Sequence, residues 1–147
     1  MIFYTKTYHK SLFEELKDLE ENIFIPPYDE RELKSLILAK DKCTWLIYKD
    51  DLSRQIGFIV YRLTKISFEI CRIGILSLYR RYGAGTFLLN KLKFKLSDTQ
   101  YRKIEIWIYD GNLPIQLWLR KNGFIATEIK DEGFYLFEYF FTGDCNG

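Results

Sequence analysis

The chain has 147 residues, the size of one ordinary domain, so residues 1–147 are expected to form a single domain. Apolar residues make up 48%, charged residues 29% and the net charge is +2, which describes a soluble globular chain rather than a disordered or strongly basic one, and no nucleic-acid partner is expected. One histidine, His9, precludes a two-histidine metal site, and the widely spaced Cys43, Cys71 and Cys145, with no C-x-x-C pair, read as a reduced cytoplasmic set rather than a disulfide framework or zinc site.

A Ser-His-Asp triad would need His9, which sits beside Lys10 at a helix start. The opening residues lack an apolar h-region, no apolar run approaches the length of a membrane span, and there is no Walker A pattern. No signal peptide, membrane partner or simple nucleotide hydrolase is therefore expected.

Residues 2–6 read as a short strand and 9–21 as a helix, with Leu12, Leu16, Leu19 and Ile23 near one stripe. Pro26-Pro27 breaks the chain, and Asp29 caps a second helix whose Leu33, Leu36 and Ile37 share a face. Strands are predicted at 43–49, 56–63 and 67–76, the first two joined by an Asp50-Asp51-Leu52-Ser53 turn, as an antiparallel meander. A glycine-bearing loop at 80–85 opens a helix to about residue 96, with Leu88, Leu89, Leu92 and Leu96 at helical spacing. Residues 102–109 form another strand. Asn112 caps a helix to about 121 with Ile115, Trp118 and Leu119 on one side, and Gly123 ends it. Strands at 124–130 and 133–141 complete the order βααβββαβαββ, an α/β (α+β) three-layer architecture with a mixed, mostly antiparallel sheet.

The informative segment is Arg80-Arg81-Tyr82-Gly83-Ala84-Gly85-Thr86, between a strand and a helix. Glycines let the backbone approach an anion closely. The loop amides and the first turn of the helix then point at it, and arginines add charge-assisted contacts. The pattern suits a pyrophosphate; it also suits a tight turn with two exposed arginines.

Arg-x-x-Gly-x-Gly in this position resembles the acyl-CoA motif of the Gcn5-related N-acetyltransferase (GNAT) superfamily. Asn112, followed by Trp118-Leu119-Arg120-Lys121-Asn122-Gly123-Phe124, is similar to the family's Asn…Leu-Tyr-x-x-x-Gly-Phe block. The element order resembles the family fold over nearly the whole chain. The resemblance implies that the strands at 67–76 and 102–109 run parallel and splay, with acetyl-CoA, the acetyl donor, wedged between them. Its pantetheine would pair near Ile73, Ile75 and Ser77, its pyrophosphate would sit on residues 80–86, and Asn112 and Leu119 would line the cofactor site. An N–H near Ile73 would polarise the thioester carbonyl. Ser77 stands where family members commonly have proline.

The implied reaction is attack of an amine on the thioester, which needs a base because amines are mostly protonated at neutral pH. Glu69 lies eleven residues before Arg80, a spacing that resembles the catalytic glutamate of the histone-acetyltransferase branch. By alternation it shares a face with Cys71, Ile73 and Ile75. Glu105 is the alternative base, on a face with Trp107 and Tyr109, while Ile104, Ile106 and Ile108 face the other way. The ribosomal-protein acetyltransferases place their glutamate at the position of Trp107. Many members protonate the leaving thiolate with a tyrosine where this chain has Leu119, so Tyr109, Tyr135 or water would stand in. Cys71 as an acyl carrier lacks a histidine partner.

Ile23-Phe24-Ile25-Pro26-Pro27-Tyr28 is similar to the loop between the first two helices of protein N-terminal acetyltransferases, and Phe134-Tyr135 to a tyrosine-bearing hairpin that flanks their peptide groove. The Glu20-Glu21 and Asp29-Glu30-Glu32 clusters read as solvated helix faces, or as an acidic channel for polyamines or lysines. Three functions stay open: acetylation of a protein or peptide amine; acetylation of a small amine such as a polyamine, amino acid or aminoglycoside; or acyl-CoA or partner binding without efficient catalysis. A monomer or a homodimer joined through the aromatic residues 134–141 is expected.

Overall fold

The computed structural model describes residues 2–5, 10–24, 27–37, 44–52, 54–80, 83–130 and 132–141; His9, Ile25, Pro26, Cys43, Arg81, Tyr82 and Cys145 lie outside them. The described elements are β1 (Ile2–Thr5), α1 (Lys10–Ile23), α2 (Glu30–Ile37), β2 (Thr44–Lys49), β3 (Gln55–Leu63), β4 (Ser67–Ile75), α3 (Ser77–Arg80), α4 (Ala84–Ser97), β5 (Lys103–Tyr109), α5 (Leu113–Lys121), β6 (Ile125–Lys130) and β7 (Phe134–Phe140). The predicted order recurs with one addition, the helical turn α3. The loop expected from residue 80 is therefore shorter, because Tyr79 N–H bonds the Leu76 carbonyl at 2.9 Å and winds the chain as it leaves β4.

The chain forms two compact units, Met1–Arg62 with Cys71–Asn90, and Leu63–Ile70 with Lys91–Gly147. In the first, β2 pairs antiparallel with both β1 (Ile2↔Tyr48 to Thr5↔Trp45) and β3 (Thr44↔Tyr61 to Lys49↔Gln55). The end of β4 adjoins β3, where Leu76 N–H donates to the Ile56 carbonyl at 2.8 Å. The apolar stripe of α1 (Phe13, Leu16, Leu19) meets Leu33 of α2 and Ile47, Phe58 and Val60 of the strands. Burying each large side chain contributes about 1.5–3 kcal/mol. The Asp29 carboxylate accepts Glu32 N–H at 2.7 Å while the Glu32 carboxylate accepts Asp29 N–H at 3.1 Å, a reciprocal capping box that starts α2 where expected.

In the second unit the strand order is β4-β5-β7-β6. β4 runs parallel to β5 over Ser67↔Lys103, Phe68↔Ile104 and Glu69↔Glu105. β7 pairs antiparallel with β5 from Lys103↔Phe140 to Tyr109↔Phe134, and β6 pairs antiparallel with β7, with a register shift between Ala126 and Glu128. Ile104, Ile106 and Ile108 are buried while Glu105, Trp107 and Tyr109 are not, which is the predicted alternation. Leu88, Leu89, Leu92 and Leu96 of α4 are all fully buried. Asn112 caps α5 by accepting Ile115 N–H at 3.4 Å. Gly123 ends that helix at φ +90°, with Phe124 N–H returning to the Leu119 carbonyl at 3.0 Å.

Candidate functional site

The first unit carries the glycine loop. Leu76 N–H points toward β3, so strand alternation turns the N–H and C=O of the adjoining Ile75 away from it. The Ile75 carbonyl is met there by Arg80 Nε at 2.9 Å. That bond folds the exposed Arg80 side chain back along β4 and fixes its guanidinium at the end of α3. Gly83 follows at φ +75°, a conformation that suits glycine, and among the described residues a Cβ built on it meets nothing within 4 Å. The space in front of the loop is thus open to a ligand atom approaching the backbone. Ala84 and Gly85 then open α4, whose first amides have no carbonyl within the helix to bond and form its positive end. Ala84 and Gly85 are themselves buried and Thr86 is half-buried. Ser77 starts α3.

A cavity of about 410 Å³ adjoins this loop, walled by Tyr48, Tyr79, Phe87 and Gly83 with Asp50 and Asp51 on its rim. Arg54 amide and guanidinium bonds hold the Asp50 carboxyl below its usual range, although partial desolvation opposes them. Gly83 and Ala84 belong to this lining, so the Asp50 and Asp51 carboxylates share one cavity with the loop.

The second unit holds the carboxylates. The register places Glu69 and Glu105 side by side on the last rung of the parallel ladder, a pairing that alternation along each strand alone does not reveal. Glu105 is committed: it accepts Ser67 Oγ at 2.7 Å and lies 3.7 Å from Lys103 Nζ. Lys103 also pairs with the buried Glu138, which accepts the Thr127 hydroxyl at 2.5 Å. Burial works against the ionised Glu138, yet the Lys103 and Thr127 hydrogen bonds hold its pKa below the usual value. Glu69 is half-buried.

Tyr109 is exposed and stands edge-on to Phe134, ring centroids 5.7 Å apart. Asn112 is exposed at the start of α5, and Leu119 is buried at 1% exposure, an apolar anchor of that helix with no polar group to offer. On β4 the expected alternation fails beyond Glu69: Cys71, Arg72 and Ile73 are half-buried in succession, while Gly74 and Ile75 are both buried.

Sequence reasoning missed one feature. Glu20, read as part of a solvated acidic face, is buried at 1% exposure and forms a two-pronged ion pair with Arg72. Its spacing, four residues after Leu16 and three before Ile23, puts it on the apolar stripe and is the local signal for it.

An α/β fold with a parallel strand pair, followed by a glycine loop at a helix N-terminus, defines the acyl-CoA acyltransferase architecture. Residues 10–124 match the acetyltransferase (GNAT) family, and the chain belongs to that family. No curated protein sequence matches the chain. Among solved structures it is similar to the Escherichia coli ribosomal-protein-S18-alanine N-acetyltransferase, at 13% identity and TM-score 0.79, covering 100% of this chain and 99% of that one. It is also similar to Arabidopsis thaliana NAA60 in complex with a bisubstrate analogue, at 18% identity and TM-score 0.69, over 98% and 100% of the two chains. The PaiA N-acetyltransferase of Thermoplasma acidophilum, in complex with coenzyme A, aligns at 19% identity and TM-score 0.73, over 96% and 99%.

Proposed function

We propose that residues 1–147 act as one acetyl-CoA-dependent N-acetyltransferase domain whose acceptor is a primary amine of a protein or peptide. The observation that carries this reading is the open face of Gly83 between Arg80 and the start of α4, in a chain of the GNAT family. The pyrophosphate would rest on residues 80–86, taking the backbone donors of the loop and the free edge of the Arg80 guanidinium, with Arg81, Tyr82 and Thr86 completing the loop. Pantetheine would pair with the backbone near Ile73 and Ile75 and reach Ser77. Glu69 is our first choice of base, on its spacing of eleven residues before Arg80, and Glu105 the alternative. The acceptor nitrogen attacks the carbonyl carbon as its proton passes to a carboxylate. The carbon–sulfur bond breaks, and the thiolate takes a proton from Tyr109, Tyr135 or water. A thiol pKa near about 8.5 makes that last proton helpful rather than essential.

Glu20, one of the acids that a polyamine channel would need, is buried and paired with Arg72, which supports a peptide acceptor over a polyamine. The test is the thermal midpoint with acetyl-CoA, CoA and ATP. Ligand at 100 times its Kd adds about 2.7 kcal/mol, which raises the midpoint by roughly 5–10 °C. A rise with acetyl-CoA and CoA but not ATP is expected, followed by CoA release with free-amine peptides. No rise at millimolar acetyl-CoA would overturn the reading.

A further inference from the structure

Arg72 makes more contacts than a strand arginine needs. Its Nε and Nη2 donate to the two oxygens of Glu20 at 2.8 and 2.7 Å. Its guanidinium carbon lies 3.6 Å from the centroid of Phe24 and 3.7 Å from that of Tyr28. The same Glu20 accepts the Tyr28 N–H at 3.0 Å. One carboxylate thus holds both the cation and the backbone of the segment that contributes the rings. Phe24 is also seated on the strand: a Cβ at Gly74 would come within 2.9 Å of its ring and 3.1 Å of Ile23. Residues 72–74 therefore carry an aromatic wall on either side of Ile73 in sequence.

A buried ion pair adds little net stability compared with apolar residues of the same shape, but its fork and stacking planes permit few arrangements. Lysine cannot replace it, having neither a plane to stack nor a fork to match a carboxylate. Acyl transfer requires the nucleophile to be held about 3–3.5 Å from the carbonyl carbon, and errors of about 1 Å cost up to about a hundredfold.

We propose that Arg72, tied to Glu20, is a positioning residue for the acceptor: it locks Phe24 and Tyr28 of the α1–α2 connection against β4 beside Ile73, and so fixes the wall along which the amine approaches. This rests on the acetyl-transfer reading above, which puts the thioester at Ile73. The test compares wild type, Arg72→Lys, and the double variant Glu20→Gln with Arg72→Met, which removes both charges and keeps the fold testable if lysine destabilises it. CoA affinity is measured by calorimetry, and the acceptor KM with short free-amine peptides and with spermidine. Both variants are expected to raise the acceptor KM at least tenfold while leaving the Kd for CoA within twofold. An acceptor KM within twofold of wild type in the folded variants overturns the proposal. So does an equal loss of CoA affinity, which would mark a general structural role. Wild type that binds CoA but turns over none of these amines also overturns it and leaves the cradle standing; wild type that does not bind CoA overturns the acetyl-transfer reading as well.

Discussion

Replacing Gly83 with alanine separates backbone cost from ligand cost. Gly83 has φ +75°, and holding an L-residue in the left-handed region costs about 1–2 kcal/mol. Little steric cost is added, because among the described residues the new Cβ meets nothing within 4 Å. Unfolding entropy of about 2.1 cal/mol/K per residue over 147 residues converts that cost into a midpoint about 3–6 °C lower. In the complex the methyl group stands where the phosphate must approach the amides. Losing one hydrogen bond to a charged group costs about 1.5–3 kcal/mol, which weakens CoA binding about 10- to 150-fold. Gly123→Ala is the control: φ is +90°, its Cβ would make ordinary contact with Tyr139 at 3.5 Å, and it carries no part of the loop. Both variants are expected to lose similar midpoint, and only Gly83→Ala to lose CoA affinity by calorimetry. A Gly83→Ala protein with lowered midpoint and CoA affinity within twofold of wild type would refute the cradle.

Arg80→Ala removes the guanidinium that Ile75 orients; since Arg80 is exposed, the midpoint is expected to hold within about 2 °C while the Kd for CoA rises about tenfold or more. Glu69→Gln is expected to lower kcat/KM at least tenfold across pH 6 to 9, whereas Glu105→Gln stays within threefold; the reverse order reassigns the base. Glu138 is held below the usual glutamate value, so the stability it contributes is complete above about pH 4.5 and is lost as pH falls through its lower folded value. Acid unfolding of Glu138→Gln should therefore be shallower than that of wild type, and identical acid limbs would remove the pair with Lys103 from the account.

The features legible in the residues alone were local. The capping box at Asp29 and Glu32, the Asn112 cap, the left-handed Gly123 and the Leu88–Leu96 stripe each depend on residues a few positions apart, whose geometry the backbone imposes before any tertiary contact forms. The alternation of Ile104, Ile106 and Ile108 was legible for the same reason, as was Gly83 ahead of the helix at 84. Tertiary structure decided the rest. Glu69 met Glu105 through strand register, and Glu105 was withdrawn into a bond with Ser67 that pattern reading along one strand cannot reveal. Burial of Glu20 and its union with Arg72, 52 residues away, required chain closure around a shared core. An acid on an amphipathic helix looks solvated until the partner that neutralises it is brought alongside, because its burial is favourable only once both charges are desolvated together.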